Sequence, residues 1–273
     1  MQGDIDRKNS EFWDELCGSG LAKSLGITEI NNGALQKFDK AYIEIYPYLP
    51  KYVENNNLED KKVLEIGLGY ATLSQLLAST NCDYFGLDIA ANPVKMAQYR
   101  LNQLGKANED EQIKVGSALS IPHEDNSFDY VYSIGCLHYT GDLPQSVSEV
   151  YRVLKPGGKA VIMLYNRNSF RQLVQVPWQR FKQFFKRNSK QNFAAFVRSL
   201  YDSNAVGEAA PHTDYVSSSQ VKSLFSNFSK VSIEVQNFDT YVLFGGKLVI
   251  NRESLLNNFA RFLGLDLYIT AIK

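Results

Sequence analysis

The stretch Lys62–Ala78, KVLEIGLGYATLSQLLA, decides how the chain is read. Val63, Leu64 and Ile66 form a short apolar run of the kind that makes a strand buried on both faces, and the run stops at Gly67 and Gly69. Leu73, Leu76 and Leu77 then fall at helical spacing. The glycines therefore occupy a tight strand-to-helix turn whose backbone N–H groups point at whatever lies above the helix start, a seat for a nucleotide-like ligand. A second apolar run, Tyr84 to Leu87, ends in Asp88, where a carboxylate at a strand end accepts hydrogen bonds from a ribose diol.

Working outward, the same alternation continues on the C-terminal side. Asn92 and Pro93 supply the N-cap and first-turn proline of a helix with Val94, Ala97, Leu101 and Leu104 on one face, and Gln112–Val115 reads as a third strand. The turn-rich Pro122–Ser127 leads into a fourth strand, Phe128–Ile134. Pro144 opens a helix carrying Leu143, Val147, Val150 and Leu154, which Lys155-Pro-Gly-Gly158 ends, and Ala160–Tyr165 is a fifth, almost wholly apolar strand. Strand and helix in alternation imply a parallel sheet with right-handed crossovers. Later, Ser217–Ser219 caps a helix with Val221, Leu224, Phe225 and Phe228, Lys230–Phe238 is a strand, Leu255 to Leu263 form one helix closed by Gly264, and Leu265, Leu267 and Ile269 make a last strand.

Two segments stand outside this rhythm. Residues 1–33 read as an irregular polar arm with an aromatic patch, FWDELCGSG, that either anchors the arm or covers a ligand; Leu35, Phe38, Tyr42 and Ile45 follow as a helix that Pro47 and Pro50 break. From Asn166 to about Tyr215, Phe170, Leu173, Val174, Trp178, Phe181, Phe184 and Phe185 interleave with Arg171, Arg180, Lys182, Lys186, Arg187 and Lys190, and no acidic residue occurs before Asp202. This reads as a helical cap, either a basic face over an apolar stripe packed on the domain or a surface for an anionic or lipidic partner.

Composition narrows the function classes. The 273 residues are 44% hydrophobic and 21% charged, with 29 basic against 29 acidic side chains, so no overall basic field for nucleic acid exists. The beginning MQGDIDRKNS lacks an apolar signal core and no stretch reads as a membrane span, which points to the cytoplasm. Cys17, Cys82 and Cys136 are scattered without CxxC spacing, against a disulfide framework or a zinc site.

The stretches LEIGLGYAT, FGLDIA, GSALSIPHEDNSFDYVYSIGCLHY and LKPGGKAVIM, in that order over roughly residues 60–165, resemble the signatures of the class I S-adenosylmethionine-dependent methyltransferases, the type 11 small-molecule branch. The resemblance implies an α/β, Rossmann-like fold: a seven-stranded, mostly parallel sheet with an antiparallel C-terminal strand and a helical cap insertion. It divides the chain into an N-terminal arm and helix forming a partial lid (1–58), a cofactor-binding core (59–166), the cap (167–215) and the C-terminal part of the sheet (216–273). The implied cofactor is S-adenosylmethionine, leaving S-adenosylhomocysteine as product. Glu65, Gly67 and Gly69 are then on its methionine side, with Ala71 where many relatives carry a third glycine. Asp88 is at the ribose and Ile89 beside the adenine, which Ser117 or the Ala118 backbone recognises in place of the usual Asp. Ser133, Ile134 and Gly135 pass the sulfonium.

Methyl transfer from a sulfonium needs alignment above all, and a general base only where the acceptor's proton must leave early. Of the three histidines, His138 is the first candidate for a base and His212 the second, while His123 in the turn before the fourth strand reads as exposed and idle. Tyr139, Tyr165, Arg167 and Tyr215 are candidate substrate contacts, Arg167 for an anionic group. The expected partner is a small apolar, aromatic or anionic acceptor, with no nucleic acid, no metal, and contact between the cap and a membrane surface allowed by its basic aromatic face. Two alternatives share the glycine turn and acid: a nicotinamide-dependent oxidoreductase, which prefers GxGxxG where this chain has Thr72, and a noncatalytic adenosylmethionine-binding protein.

Overall fold

The computed structural model describes residues 2–15, 20–106, 112–185, 193–204, 207–243 and 246–273. Cys17, Lys186, Arg187 and Lys190 lie outside the described residues, as do the side chains of Phe184 and Phe185.

Seven strands build one sheet: β1 (Lys62–Ile66), β2 (Asp83–Asp88), β3 (Ile113–Val115), β4 (Phe128–Ile134), β5 (Leu154–Tyr165), β6 (Lys230–Gln236) and β9 (Asp266–Ile272), in the order β3-β2-β1-β4-β5-β9-β6. The neighbours β3 to β5 pair in parallel, and β9 runs antiparallel to both β5 and β6. The fold is thus the α/β, Rossmann-like sheet the sequence implies. Leu64, Ile66, Val131, Ile162 and Leu267 are buried with the helix residues Val147, Val150, Val221 and Phe225 in one layer; Val63, Tyr132 and Val161 are buried with Leu73, Leu77, Ala97 and Leu101 in the other. Both faces of the central strands are covered, which is why these strands are continuous apolar runs. The alternation read at Leu265–Ile269 is part of a strand with both faces covered for the same reason, since β9 lies between β5 and β6.

Before the sheet come α1 (Gln2–Trp13), α2 (Gly20–Ser24), α3 (Asn32–Ile45) and α4 (Leu49–Glu54). The arm expected to be irregular is therefore largely helical, and its order comes from tertiary bonds: Asn9 Nδ2 donates to the Tyr139 carbonyl at 2.8 Å and Gln2 Nε2 to the Thr140 carbonyl at 2.8 Å. Between strands lie α5 (Thr72–Ala78), α6 (Ala91–Gln103) and α7 (Leu143–Val153). Asn92 is not the N-cap of α6; Ala90 holds that position without a capping oxygen, and Asp14 Oδ1 accepts from the Asn92 amide at 2.7 Å in its place. Lys155–Gly158, expected as a stop, is absorbed into β5 through an irregular register opposite Phe128–Tyr130.

The insertion after β5 holds a π turn at Arg171–Gln175 that continues into α8 (Val176–Phe185), followed by α9 (Phe193–Ser199). Phe170 of its apolar stripe packs against Phe238 and Tyr241, whereas Leu173, Val174, Trp178 and Phe181 are exposed. After α10 (Ser218–Leu224), with its Ser217–Gln220 capping box, and β6, a hairpin of β7 (Tyr241–Leu243) and β8 (Leu248–Ile250) appears where the sequence reading had placed nothing. The single helix expected over Leu255–Leu263 is two short ones, α11 (Arg252–Leu256) and α12 (Ala260–Leu263), with Phe259 and Phe262 outside the core.

Candidate functional site

The carboxyl ends of β1, β2 and β4 converge on one cavity of about 160 Å³, where open α/β sheets place ligands. Gly67, Gly69, Asp88, Ile89, Ser117, Ala118, Ile134, Gly135, Cys136 and Tyr139 line it. A larger recess of about 570 Å³ around Lys62, Phe85 and Phe128 opens at the opposite, amino edge of the sheet, away from these turns.

The glycine turn has its shape for steric reasons. Gly67 has φ +85°, and a Cβ there would sit 2.4 Å from Cys136 Cβ, so only glycine lets β1 pass the loop after β4. Gly69, at φ +50°, faces open space, a cradle for a ligand approaching the backbone. Ala71 ends the turn at φ +57°, so an L-residue is held there in the left-handed region. Asp88 ties this turn to β2. Its Oδ2 accepts from the Leu68 amide at 2.7 Å and its Oδ1 from the Ala90 amide at 2.9 Å. Burial raises its pKa against those backbone bonds, and each oxygen keeps a second lone pair for a hydroxyl donor.

Glu65 and Ser133 lie beneath the cavity rather than on its wall. Glu65 is buried, accepts from the Tyr84 hydroxyl at 2.6 Å, and burial pushes its pKa up to about 8. Ser133 Oγ donates to the Ile66 carbonyl at 3.0 Å, joining β4 to β1. Ser117 Oγ accepts from the Leu119 amide at 3.2 Å.

Of the base candidates, His138 is wholly buried, with its ring 4.3 Å from that of Tyr139 and 4.2 Å from that of Tyr165, and neither ring nitrogen has a partner. Burial pulls its pKa down to about 3, so the ring is neutral at pH 7. His212, with Nε2 3.1 Å from Asp214 Oδ1, lies in the segment packed on His138, whose carbonyl accepts from the Asp214 amide at 2.8 Å. Tyr139 and Tyr165 meet through Asp202, which accepts from both hydroxyls, from Tyr165 at 2.7 Å. Tyr215 stacks against Tyr165 at 6.3 Å, whereas Arg167 is exposed. Cys136 lines the cavity with its thiol pushed up to about 12 by burial, a packed and unreactive state.

The sequence reading missed Asp6 and Asn9, which together with Trp13, from the aromatic patch read as an anchor or a ligand cover, bring α1 onto the same cavity. Asn9 is 3% exposed, and its Oδ1 has no partner. The Trp13 ring lies 4.8 Å from that of Tyr139. The one available signal was FWDE in the arm, because contacts separated by more than a hundred residues leave no local pattern. Among the described residues, no group of three metal-ligating side chains occurs and no helix is long and apolar enough to cross a membrane.

Residues 64–162 match the family model described as a methyltransferase domain. A phosphoethanolamine N-methyltransferase of Caenorhabditis elegans is 33% identical over 108 residues, 38% of this chain and 24% of that enzyme, so the chain spans about a quarter of the length of that relative. A demethylmenaquinone methyltransferase of Geobacillus is 27% identical over 189 residues, 67% of this chain and 76% of that enzyme. The fold is also that of a geranyl diphosphate C-methyltransferase of Streptomyces coelicolor, whose structure contains S-adenosylhomocysteine; TM-score 0.54 and 13% identity, covering 98% of this chain and 97% of that one. Over residues 64–162 the chain is thus similar to methyltransferase domains, and its fold is that of solved methyltransferases.

Proposed function

We propose that the chain transfers the methyl group of S-adenosylmethionine to a small-molecule acceptor bound beside the cofactor cavity, under the cap and α1. One observation carries this: the turn at Gly67–Gly69, the carboxylate of Asp88 and the loop at Ile134–Gly135 surround a single cavity. The residues suit the cofactor, since Gly69 leaves open space over the turn and Asn9 Oδ1 is an unfilled acceptor on the wall. When bound, the cofactor supplies an activated methyl group on a sulfonium. The protein's part is to hold the ribose through Asp88, the adenine beside Ile89, Ser117 and Ala118, and the donor end along Ile134–Gly135. Tyr139 separates this end from the acceptor side, and α1 excludes water by closing over both. His138 and His212 act as bases only if the acceptor side opens to them.

The exposed Leu173, Val174, Trp178 and Phe181, flanked by Arg180 and Lys182, support the further reading that the cap rests on an anionic membrane surface. The test of the main reading is calorimetric titration with S-adenosylhomocysteine and NAD, followed by an acceptor screen that measures S-adenosylhomocysteine release. Binding of the first ligand alone, with turnover, agrees; binding of NAD instead returns the oxidoreductase alternative, and cofactor binding with no acceptor turned over leaves a noncatalytic binding protein.

A further inference from the structure

One face of α1 lines the cofactor cavity, and what it does there rests on the methyltransferase reading. Asp6, Asn9 and Trp13 stand at i, i+3 and i+7 of that helix, so they share a face, and all three are on the cavity wall with Gly67, Gly69 and Asp88. The helix is fastened to the core at both ends. Gln2 Nε2 donates to the Thr140 carbonyl and Asn9 Nδ2 to the Tyr139 carbonyl, each at 2.8 Å, while just past the last turn Asp14 Oδ1 accepts from the Asn92 amide at 2.7 Å. Tyr139, Thr140 and Pro93 are themselves on the wall, so α1 spans the cavity from the loop after β4 to the start of α6.

Asn9 is the polar group this arrangement leaves open. It is buried, its Nδ2 is committed to Tyr139, and its Oδ1 has no partner. Exchanging the two ends of the amide would set Oδ1 against the Tyr139 carbonyl, oxygen against oxygen, so the Nδ2 bond fixes which end is left over. A buried amide oxygen without a donor is costly, and such atoms are almost always paired when their site is filled. One turn nearer the N-terminus the Asp6 carboxylate, which accepts from Gln2 Nε2 at 2.9 Å, adds negative charge to the same wall as Asp88. Among the described residues, no lysine or arginine lines the cavity. The α1 side of the wall therefore suits a hydrogen-bond donor and not an anion. S-adenosylmethionine carries N–H donors at its adenine amino group and at the α-ammonium of its methionine end.

We propose that Asn9 Oδ1 accepts an N–H of an amino group of the bound cofactor, so that α1 is a recognition element of the cofactor site and the cofactor in turn locks α1 onto the core. Asn9 then uses both ends of its amide: Nδ2 holds the helix on the Tyr139 carbonyl, and Oδ1 reads the ligand. Trp13, its ring 4.8 Å from that of Tyr139, closes the remainder of this face. Because one side chain joins helix, core and ligand, docking of α1 and binding of the cofactor each strengthen the other by the same factor. A ligand that lacks the amino group leaves Oδ1 buried and unpaired and binds more weakly, which makes Asn9 a specificity-determining residue.

The experiment titrates the full chain calorimetrically with S-adenosylhomocysteine, with S-inosylhomocysteine, in which oxygen replaces the adenine amino group, and with the analogue whose α-ammonium is replaced by hydrogen. The parent is expected to bind at least one analogue about tenfold more weakly than S-adenosylhomocysteine, and the analogue that loses affinity identifies the amino group that Asn9 reads. Asn9→Ala should bind S-adenosylhomocysteine about tenfold more weakly and no longer distinguish it from that analogue. Gln2→Ala, which removes the tie to Thr140 and leaves Asn9 in place, should keep the distinction. Should Asn9→Ala not fold, amide hydrogen exchange in the parent decides: saturating S-adenosylhomocysteine slows exchange over residues 2–13, and the weaker analogue at saturation slows it less. A parent that binds all three ligands equally, an Asn9→Ala chain that still distinguishes them, a Gln2→Ala chain that does not, or α1 amides that S-adenosylhomocysteine leaves unprotected overturn the inference. Failure to bind S-adenosylhomocysteine at all overturns the methyltransferase reading instead.

Discussion

Asp88 Oδ2 accepts from the Leu68 amide at 2.7 Å, so the carboxylate at the end of β2 organises the glycine turn at the end of β1 before any ligand arrives. Charge-assisted bonds of this kind are worth about 1.5–3 kcal/mol each. Asp88→Ala is therefore expected to weaken S-adenosylhomocysteine binding by more than tenfold in calorimetry. An unchanged affinity would remove Asp88 from the cofactor site.

Ala71 at φ +57° stores strain that glycine relieves, about 1 kcal/mol. Ala71→Gly is expected to raise the melting temperature, against the usual cost of a glycine at a helix start. A lower melting temperature would mean the turn is not strained.

Asp14 supplies α6 with the capping oxygen that Ala90 lacks. Caps are worth about 0.5–2 kcal/mol, so Asp14→Ala should lower stability by about 1 kcal/mol in urea unfolding. Because the same bond holds α1 against the cavity, S-adenosylhomocysteine should also dissociate faster. Loss of stability with an unchanged dissociation rate would separate α1 from the ligand.

Stability should fall as pH rises from 6.5 to 8. Burial raises Glu65 to about 8 and Asp266 to about 7, so in this window the folded chain holds protons the unfolded chain has released, and each further pH unit favours unfolding. His138, pulled down to about 3, favours folding with rising pH only below about 6.5 and is silent here. Glu65→Gln should flatten the melting-temperature profile between pH 6.5 and 8; a profile as steep as the parent's would contradict the assignment.

The exposed Trp178 and Phe181 stack 5.9 Å apart on α8, with Lys182 over the indole. The full chain should sediment with phosphatidylglycerol vesicles, less at high salt, and Trp178→Asp with Phe181→Asp should leave it in the supernatant. No sedimentation of the parent chain would remove the membrane reading of the cap.

The sheet was legible in the sequence because its signals are local. Apolar runs at Val63, Tyr84, Phe128 and Ala160 and the helical spacing between them state the period of each element wherever it sits. The glycine turn and Asp88 were legible too, since one strand end must accept a bend and the next must offer an acceptor. Tertiary structure alone decided the rest. It folded the N-terminal segment into a helix over the cavity, because Asn9, Gln2 and Asp14 find partners more than seventy residues away. It buried His138 among tyrosines, where burial keeps the ring neutral. It brought Asp266 from the last strand beside Tyr165 from the fifth, through an antiparallel pairing that no spacing along the chain encodes. Periodicity reports which face a residue takes within its own element; which carboxylate meets which tyrosine depends on the order of strands in the sheet, and that order is set by packing across the whole chain.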